Sequence, residues 1–276
     1  MRTKSLLGLA ALAASALAVQ AATPVYSLNI VGYVNQTIGG GNSLIANPLD
    51  LDGTNSASSV LNLAPLNDTA AAPAGTLNAV VVNTWNGASF VSQYYESDFT
   101  VNNLGAGFAG WATDNSGSLA VPTPILAPGH GFFINNPGSP VTNTWVGNVK
   151  PGPGSTNNAP IGGGNSLIAS MLPISGPLAN TGLMAFPLAP LNDTAAAPAG
   201  TLNAVVVNTW NGASFVSAYY ESDFTVNNLG AGFAGWATDN SGSLALPAPN
   251  VNVANGFFIN NPGSPVSWSQ GLSNGF

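Results

Sequence analysis

The sequence predicts an all-β protein of two tandem, near-identical antiparallel domains, each a β-sandwich or a barrel-like unit. Three observations carry that expectation. Residues 64–120 recur at 189–245 with one change, Gln93 against Ala218. The apolar runs are short, rich in β-branched and aromatic residues, and broken by Pro, Gly and Asn at turn spacing. Only 56–63, "SASSVLNL", and its diverged counterpart near 179–186 have the composition of a helical turn. Many short strands with frequent turns belong to sandwiches and barrels.

The elements follow in order. Arg2 and Lys4 precede an apolar run from Leu6 to Val19, and Val19-Gln20-Ala21 sets compact residues at the −3 and −1 positions. This is a signal peptide over 1–21, with a run too short for a typical membrane span. The first β-domain covers 22–149. "IGGGNSLIA" at 38–46 opens a strand and recurs at 161–169. "TLNAVVVNTW" and "SFVSQYYES" flank Asn86-Gly87, so 78–96 is a hairpin whose turn has the composition of type I′. "GFFINNPGSPV" at 131–141 recurs at 256–266. "NIVGYV" at 29–34 and "TWVGNV" at 144–149 share V-G-x-V, which suggests equivalent strands in successive units. Residues 150–160, "KPGPGSTNNAP", have the composition of a linker. The second β-domain covers 161–276. Its ending, "SWSQGLSNGF", departs from V-G-x-V and leaves the completeness of its last strand open. The repeat period is too long for a solenoid.

Charge and cysteine exclude several functions. Beyond the signal peptide one base, Lys150, stands against ten acids. Such a chain cannot neutralise a row of phosphates, so no nucleic acid is expected as a partner. Anionic lipid is disfavoured for the same reason, and no membrane span is expected after signal removal. The absence of Cys rules out disulfides, thiolate metal sites and cysteine nucleophiles. Charged residues are 5% of the chain, so its polar surface must come from Asn, Ser, Thr and backbone. Low charge also leaves little protection against self-association.

Four candidate chemistries can be weighed. "GAGFAG" at 105–110 fits G-x-G-x-x-G, but "WATDNSGSLAVP" after it does not carry a helix, and no acid follows Asp114 until Asp193. It is a Gly-rich turn leading into Trp111, and no cofactor is expected. Glu96 and Asp98 stand two apart on a strand, about 6.6 Å along one face. With Asp114 they are candidate calcium ligands if the fold gathers them, and Glu221, Asp223 and Asp239 repeat the set. The competing reading is a solvated strand end. His130 is the only histidine, and its counterpart is Asn255, so a triad or histidine metal site cannot exist in both copies. Trp85, Trp111, Trp210 and Trp236 are candidate sugar-stacking rings, with core packing as the competing reading.

The segments "VYSLNIVGYVN" (25–35), "GNSLIANPLD" (41–50), "NTWNGASF" (83–90), "GFAGWATDNSG" (107–117) and "LAPGHGFFINNPGSPVTNTWVGNV" (126–149) resemble a group of uncharacterised bacterial secreted proteins. In that group a V-Y-S-x-N-x-V-G-Y-V-N segment follows the signal peptide, and the unit ends in PGxGFF…NP. The resemblance covers nearly all of the first unit and implies membership without a catalytic activity.

The expected function is that of an exported, non-enzymatic repeat protein of the cell envelope or extracellular matrix, structural or adhesive, with duplication raising valency. Its location is secreted or cell surface, and its expected partners are glycans, other envelope proteins or further copies of itself. A glycan-binding β-module is the second expectation and an extracellular carbohydrate-active enzyme the third. Amino-terminal sequencing of the exported protein should begin at Ala22; a mature chain that retains Leu6 to Val19 would remove the signal-peptide assignment.

Overall fold

The computed structural model describes residues 30–66, 79–96, 110–113, 120–150, 156–179, 185–188, 204–221, 235–238 and 245–272. The segment expected as a signal peptide, 1–21, lies outside them. The described chain is nearly all strand, and its antiparallel sheets fall into two similar groups. The first half forms β1 (Val31–Ile38), β2 (Gly41–Ala46), helical turns α1 (Ala57–Val60) and α2 (Leu63–Leu66), then β3 (Val80–Trp85), β4 (Phe90–Glu96), β5 (Gly110–Ala112), β6 (Ala120–Val121), β7 (Gly131–Asn136) and β8 (Val141–Asn148). The second half forms β9 (Thr156–Ile161), β10 (Gly164–Ala169), β11 (Gly176–Pro177), β12 (Val205–Trp210), β13 (Phe215–Glu221), β14 (Gly235–Ala237), β15 (Ala245–Leu246), β16 (Asn250–Val251), β17 (Gly256–Asn261) and β18 (Val266–Gly271).

Each half is a six-stranded antiparallel sheet with a two-stranded ribbon folded onto it. The sheet orders are β2-β7-β3-β4-β5-β6 and β10-β17-β12-β13-β14-β15; the ribbons are β1-β8 and β18-β9. The ribbon continues the sheet's first two strands around a corner, and the repeated motifs build that corner. Gly41 and Gly164 turn the chain at φ +83° and +85°, a region that L side chains avoid. Gly40 passes so close to the Gly138 carbonyl that a Cβ would lie 2.9 Å from its oxygen. Asn136 is fully buried at the inner side of the bend. Its amide donates to the carbonyls of Gly39 (3.1 Å) and Ser139 (2.8 Å), and its Oδ1 accepts from Gly138 N (3.0 Å). Asn261 repeats the three bonds in the second half. A buried amide is tolerated because its polar groups are satisfied.

Strand alternation then sorts the side chains. Val80, Val82, Ile134 and Phe132 face the ribbon, where Ile38 and Trp145 complete the core. In the second half Val205, Val207, Ile259 and Phe257 meet Ile161 and Trp268. The two ribbons fill their cores from different positions. Trp268 occupies the site equivalent to Asn143, and Gln270 occupies that of Trp145. Each swap leaves its polar group bonded: Asn143 bridges Asn62 N and the Val60 carbonyl, whereas Gln270 Oε1 accepts from Met171 N at 2.7 Å.

Four sequence expectations change. The Asn86-Gly87 hairpin exists, but only Gly87 takes positive φ, so the turn is not type I′. Instead Asn86 Oδ1 accepts from the N–H groups of Ala88 and Ser89 and closes a four-residue loop. The two V-G-x-V segments are partners and not equivalents: Gly32 pairs with Gly147 in one ribbon. Glycine is required at Gly147 because the Asp50 carbonyl crosses 2.6 Å from where a Cβ would sit. The stretch expected as a linker contributes 156–160 to β9, the counterpart of β1. Pro160 is accommodated there on an edge strand, where one N–H fewer costs little. The last strand does form, as β18, and pairs with β9 from Val266 to Gly271.

The halves meet through reciprocal contacts. Ala46 N donates to the Ala254 carbonyl at 2.8 Å, and Ala169 N donates to the Gly129 carbonyl at 3.0 Å. Trp85 Nε1 donates to the Asn165 carbonyl, and Trp210 Nε1 to that of Asn42, both at 3.3 Å. Each bond is the repeat image of its partner, as across a two-fold dimer interface. At the centre, Gly131 and Gly256 touch backbone to backbone. A Cβ on Gly256 would stand 2.9 Å from Gly131 Cα and 3.1 Å from the Ile45 carbonyl oxygen. Gly256→Ala should therefore cost about 1–3 kcal/mol in thermal or denaturant unfolding. Gly162→Ala, whose Cβ would have only Ser166 Oγ at 3.6 Å, should leave the midpoint nearly unchanged. Equal midpoints for the two variants would refute the central role of the glycine contact.

Candidate functional site

The second face of each sheet carries what the first does not bury. Trp85 and Phe90 stand opposite each other at the hairpin end, and Phe133 follows on the neighbouring strand. Trp210, Phe215 and Phe258 are their counterparts. The six rings interleave between the halves. Phe258 meets Trp85 at 5.5 Å and Phe90 at 5.9 Å, and Phe133 meets Trp210 at 5.5 Å and Phe215 at 6.0 Å, all edge to face. Each such pair contributes about 0.5–1.5 kcal/mol beyond its burial. Leu44 and Leu167 are buried beside them, while Phe90 and Phe215 stay about two-fifths exposed.

This placement divides the four tryptophans expected as sugar-stacking rings. Trp111 and Trp236 are 4% and 5% exposed and belong to the cores of their halves. Trp111 Nε1 donates to Ser58 Oγ at 2.9 Å. Neither ring offers a face to a ligand, which corrects that expectation for both. Trp85 and Trp210 are half-buried, and each lines a cleft; the first reaches the junction of the halves, with Leu167 in its wall.

The clefts are repeat images with different linings. The first, about 340 Å³, is lined by Thr84, Trp85, Gln93, Ile125, Ala127 and His130 among others. The second, about 160 Å³, is lined by Thr209, Trp210, Asn250, Asn252, Asn255 and Phe257 among others. His130 lies at the rim of the first, where desolvation lowers its pKa and favours neutral imidazole. Gln93 Nε2 donates to the Pro122 carbonyl at 2.8 Å and braces the wall. Asn255 Oδ1 accepts from Gln36 Nε2 of the other half at 3.0 Å.

Of the carboxylates expected to hold calcium, Glu96 and Glu221 close β4 and β13. Asp98, Asp114, Asp223 and Asp239 lie outside the described residues. Among the described residues no group of three or more His, Cys, Asp or Glu side chains is gathered for a metal. No described helix is long and apolar enough to cross a membrane.

A buried aspartate with a lysine partner, which sequence reasoning missed, sits under the first ribbon. Asp50 is buried and accepts from Asn55 Nδ2 at 2.6 Å and from Gly53 N at 3.3 Å. It also pairs with Lys150. Burial pushes the Asp50 carboxyl up, but the Lys150 ammonium and the Asn55 and Gly53 donors outweigh it and hold the pKa below the ordinary value. The hydrogen bond and charge of Asp50 raise the pKa of Lys150. The second half has Pro173 at the position of Asp50, so repetition gave no signal here. D-x-D-G-x-N at 50–55 was the signal available, a run of turn formers and side-chain acceptors.

The chain matches no family model, no curated protein and no solved structure.

The pair sets a pH dependence. A depressed Asp50 pKa contributes stability above its unfolded value of about 3.9, lost as pH falls through the folded value. A raised Lys150 pKa contributes stability below about 10.4, lost as pH rises through the folded value. Asp50→Asn should lower stability at pH 7 by on the order of 1–2 kcal/mol and flatten both flanks. Unfolding midpoints from pH 2 to 11 check this; parallel curves for the two proteins would contradict it.

Proposed function

We propose that the chain is an exported, non-enzymatic module of the cell envelope or extracellular matrix that acts by adhesive contact. One observation carries this reading: the same uncharged cross-strand amide and hydroxyl pairs occur twice on one body. Asn135 Nδ2 donates to Asn42 Oδ1 and Asn260 Nδ2 to Asn165 Oδ1, both at 3.0 Å and exposed. On the ribbons Thr144 Oγ1 donates to Asn35 Oδ1, and Ser269 Oγ to Asn158 Oδ1. Exposed amide and hydroxyl pairs without charge suit contact with neutral polymers, and such contact is insensitive to salt. Two copies held at a fixed spacing by the interlocked rings supply bivalency.

A second reading, glycan binding, is favoured by the clefts at Trp85 and Trp210. Particles coated with a neutral bacterial exopolysaccharide should agglutinate with the mature protein at both low and high salt, without release of reducing ends. Glu96→Gln with Glu221→Gln should agglutinate equally well. Absence of agglutination overturns the adhesive reading. Sugar release abolished in the double variant would replace it with a carbohydrate-active enzyme.

A further inference from the structure

The two copies are nearly the same sequence, so the places where they differ are informative. From 64 to 141 against 189 to 266, the differences are Gln93 against Ala218 and the run 121–130 against 246–255. That run, "VPTPILAPGH" against "LPAPNVNVAN", forms one wall of each cleft. Ile125, Ala127 and His130 of the first cleft become Asn250, Asn252 and Asn255 in the second. Within this stretch the hairpins and interlocked rings are unchanged, and the divergence lies where the clefts open.

Packing beneath the run explains only part of the change. A further diverged segment, 47–62, packs on this run: Asn55 and Pro124 carbonyls accept from Leu126 N and Ala57 N. Leu126 and Val251 point into their cores and answer to that packing. Asn250 and Asn252 flank Val251 and therefore point the other way, toward solvent. Their carboxamides make no hydrogen bond within the described residues, so nothing among those residues requires asparagine there.

We infer that the second cleft is a binding subsite for an uncharged saccharide ring, and that the first has been re-lined so that it is not. The inference deepens the glycan-binding reading of this same site. The chemistry is specific. Asparagine carboxamides donate and accept at once, which matches neighbouring hydroxyls of a pyranose. The lining is mainly polar, so the carboxamides carry recognition, and the Trp210 indole at its side reports on occupancy. The ligand is neutral because Lys150, the one base beyond the signal segment, is held by Asp50 in the other half. At about 160 Å³ the cleft is below the roughly 300–1,000 Å³ of drug-sized sites and suits one sugar residue of a chain.

The test uses the mature full-length protein labelled with 5-fluorotryptophan, titrated by 19F NMR with neutral gluco-, galacto-, manno- and N-acetylglucosamine oligosaccharides up to 20-fold excess at millimolar concentration. At least one series should shift the Trp210 resonance in a saturable way and leave Trp85 in place. Asn250→Ile with Asn252→Ala should abolish the shift, while the other five Trp resonances report an intact fold. Ile125→Asn, Ala127→Asn and His130→Asn together should transfer a saturable shift to Trp85. No Trp210 response to any series, or a response that survives the two-residue variant with the fold intact, overturns the inference. A response at Trp85 equal to that at Trp210 does so too. Agglutination read in parallel separates the claims. If it persists in the two-residue variant, adhesion runs through the amide and hydroxyl pairs; if it fails in a wild-type protein that still titrates, only the adhesive reading falls.

Discussion

The close approach of Gly131 to Gly256 is the constraint on which the rest depends. Two backbones meet there without side chains between them, so the sheets approach closely enough for Phe133 and Phe258 to reach the opposite hairpin. From that contact follow the interleaved rings, the reciprocal Trp to carbonyl bonds and the clefts beside them. A Cβ at the centre would push the sheets apart and loosen all three together.

Much of this was legible in the sequence. The repeat, the short strands and the 78–96 hairpin follow from composition and alternation. The continuous run Ala79-Val80-Val81-Val82 also carried a signal of burial on both faces, the mark of a strand covered twice. What a repeat cannot disclose is whether its copies touch. Alternation places Trp85 on a strand and the Gly-rich run leads into Trp111, but neither says that a partner sheet faces one while a core encloses the other. The V-G-x-V segments misled for a related reason. Their likeness reflects pairing in one ribbon, where the Asp50 carbonyl crosses at Gly147 and Gly32 stands opposite it, and not an equivalent place in the fold. The Pro- and Asn-rich stretch at 156–160 had loop composition because an edge strand of a ribbon tolerates what a central strand does not.

The same reasoning explains how two nearly identical halves hold unlike surroundings. Gly129 has positive φ and lies against Met171, which would collide with a Cβ at 2.7 Å. Its counterpart, Ala254, keeps the unfavourable φ of +61° and places its methyl in the core of the first half. There Met171 is replaced by Pro48, and room opens for that methyl. Strain at one position is offset by packing across the junction, so each half is shaped by the other's side chains as well as its own.

A two-fold interface between separate chains exists only as far as concentration allows, and it dissolves when the molecules are dispersed. Here the reciprocal surfaces are carried on one polypeptide, and the partner is always present at the concentration set by covalent connection. The closed pair persists at any dilution, including a single molecule released into open water. A chain with few charges to keep it dispersed has thereby spent its most self-complementary surface on itself.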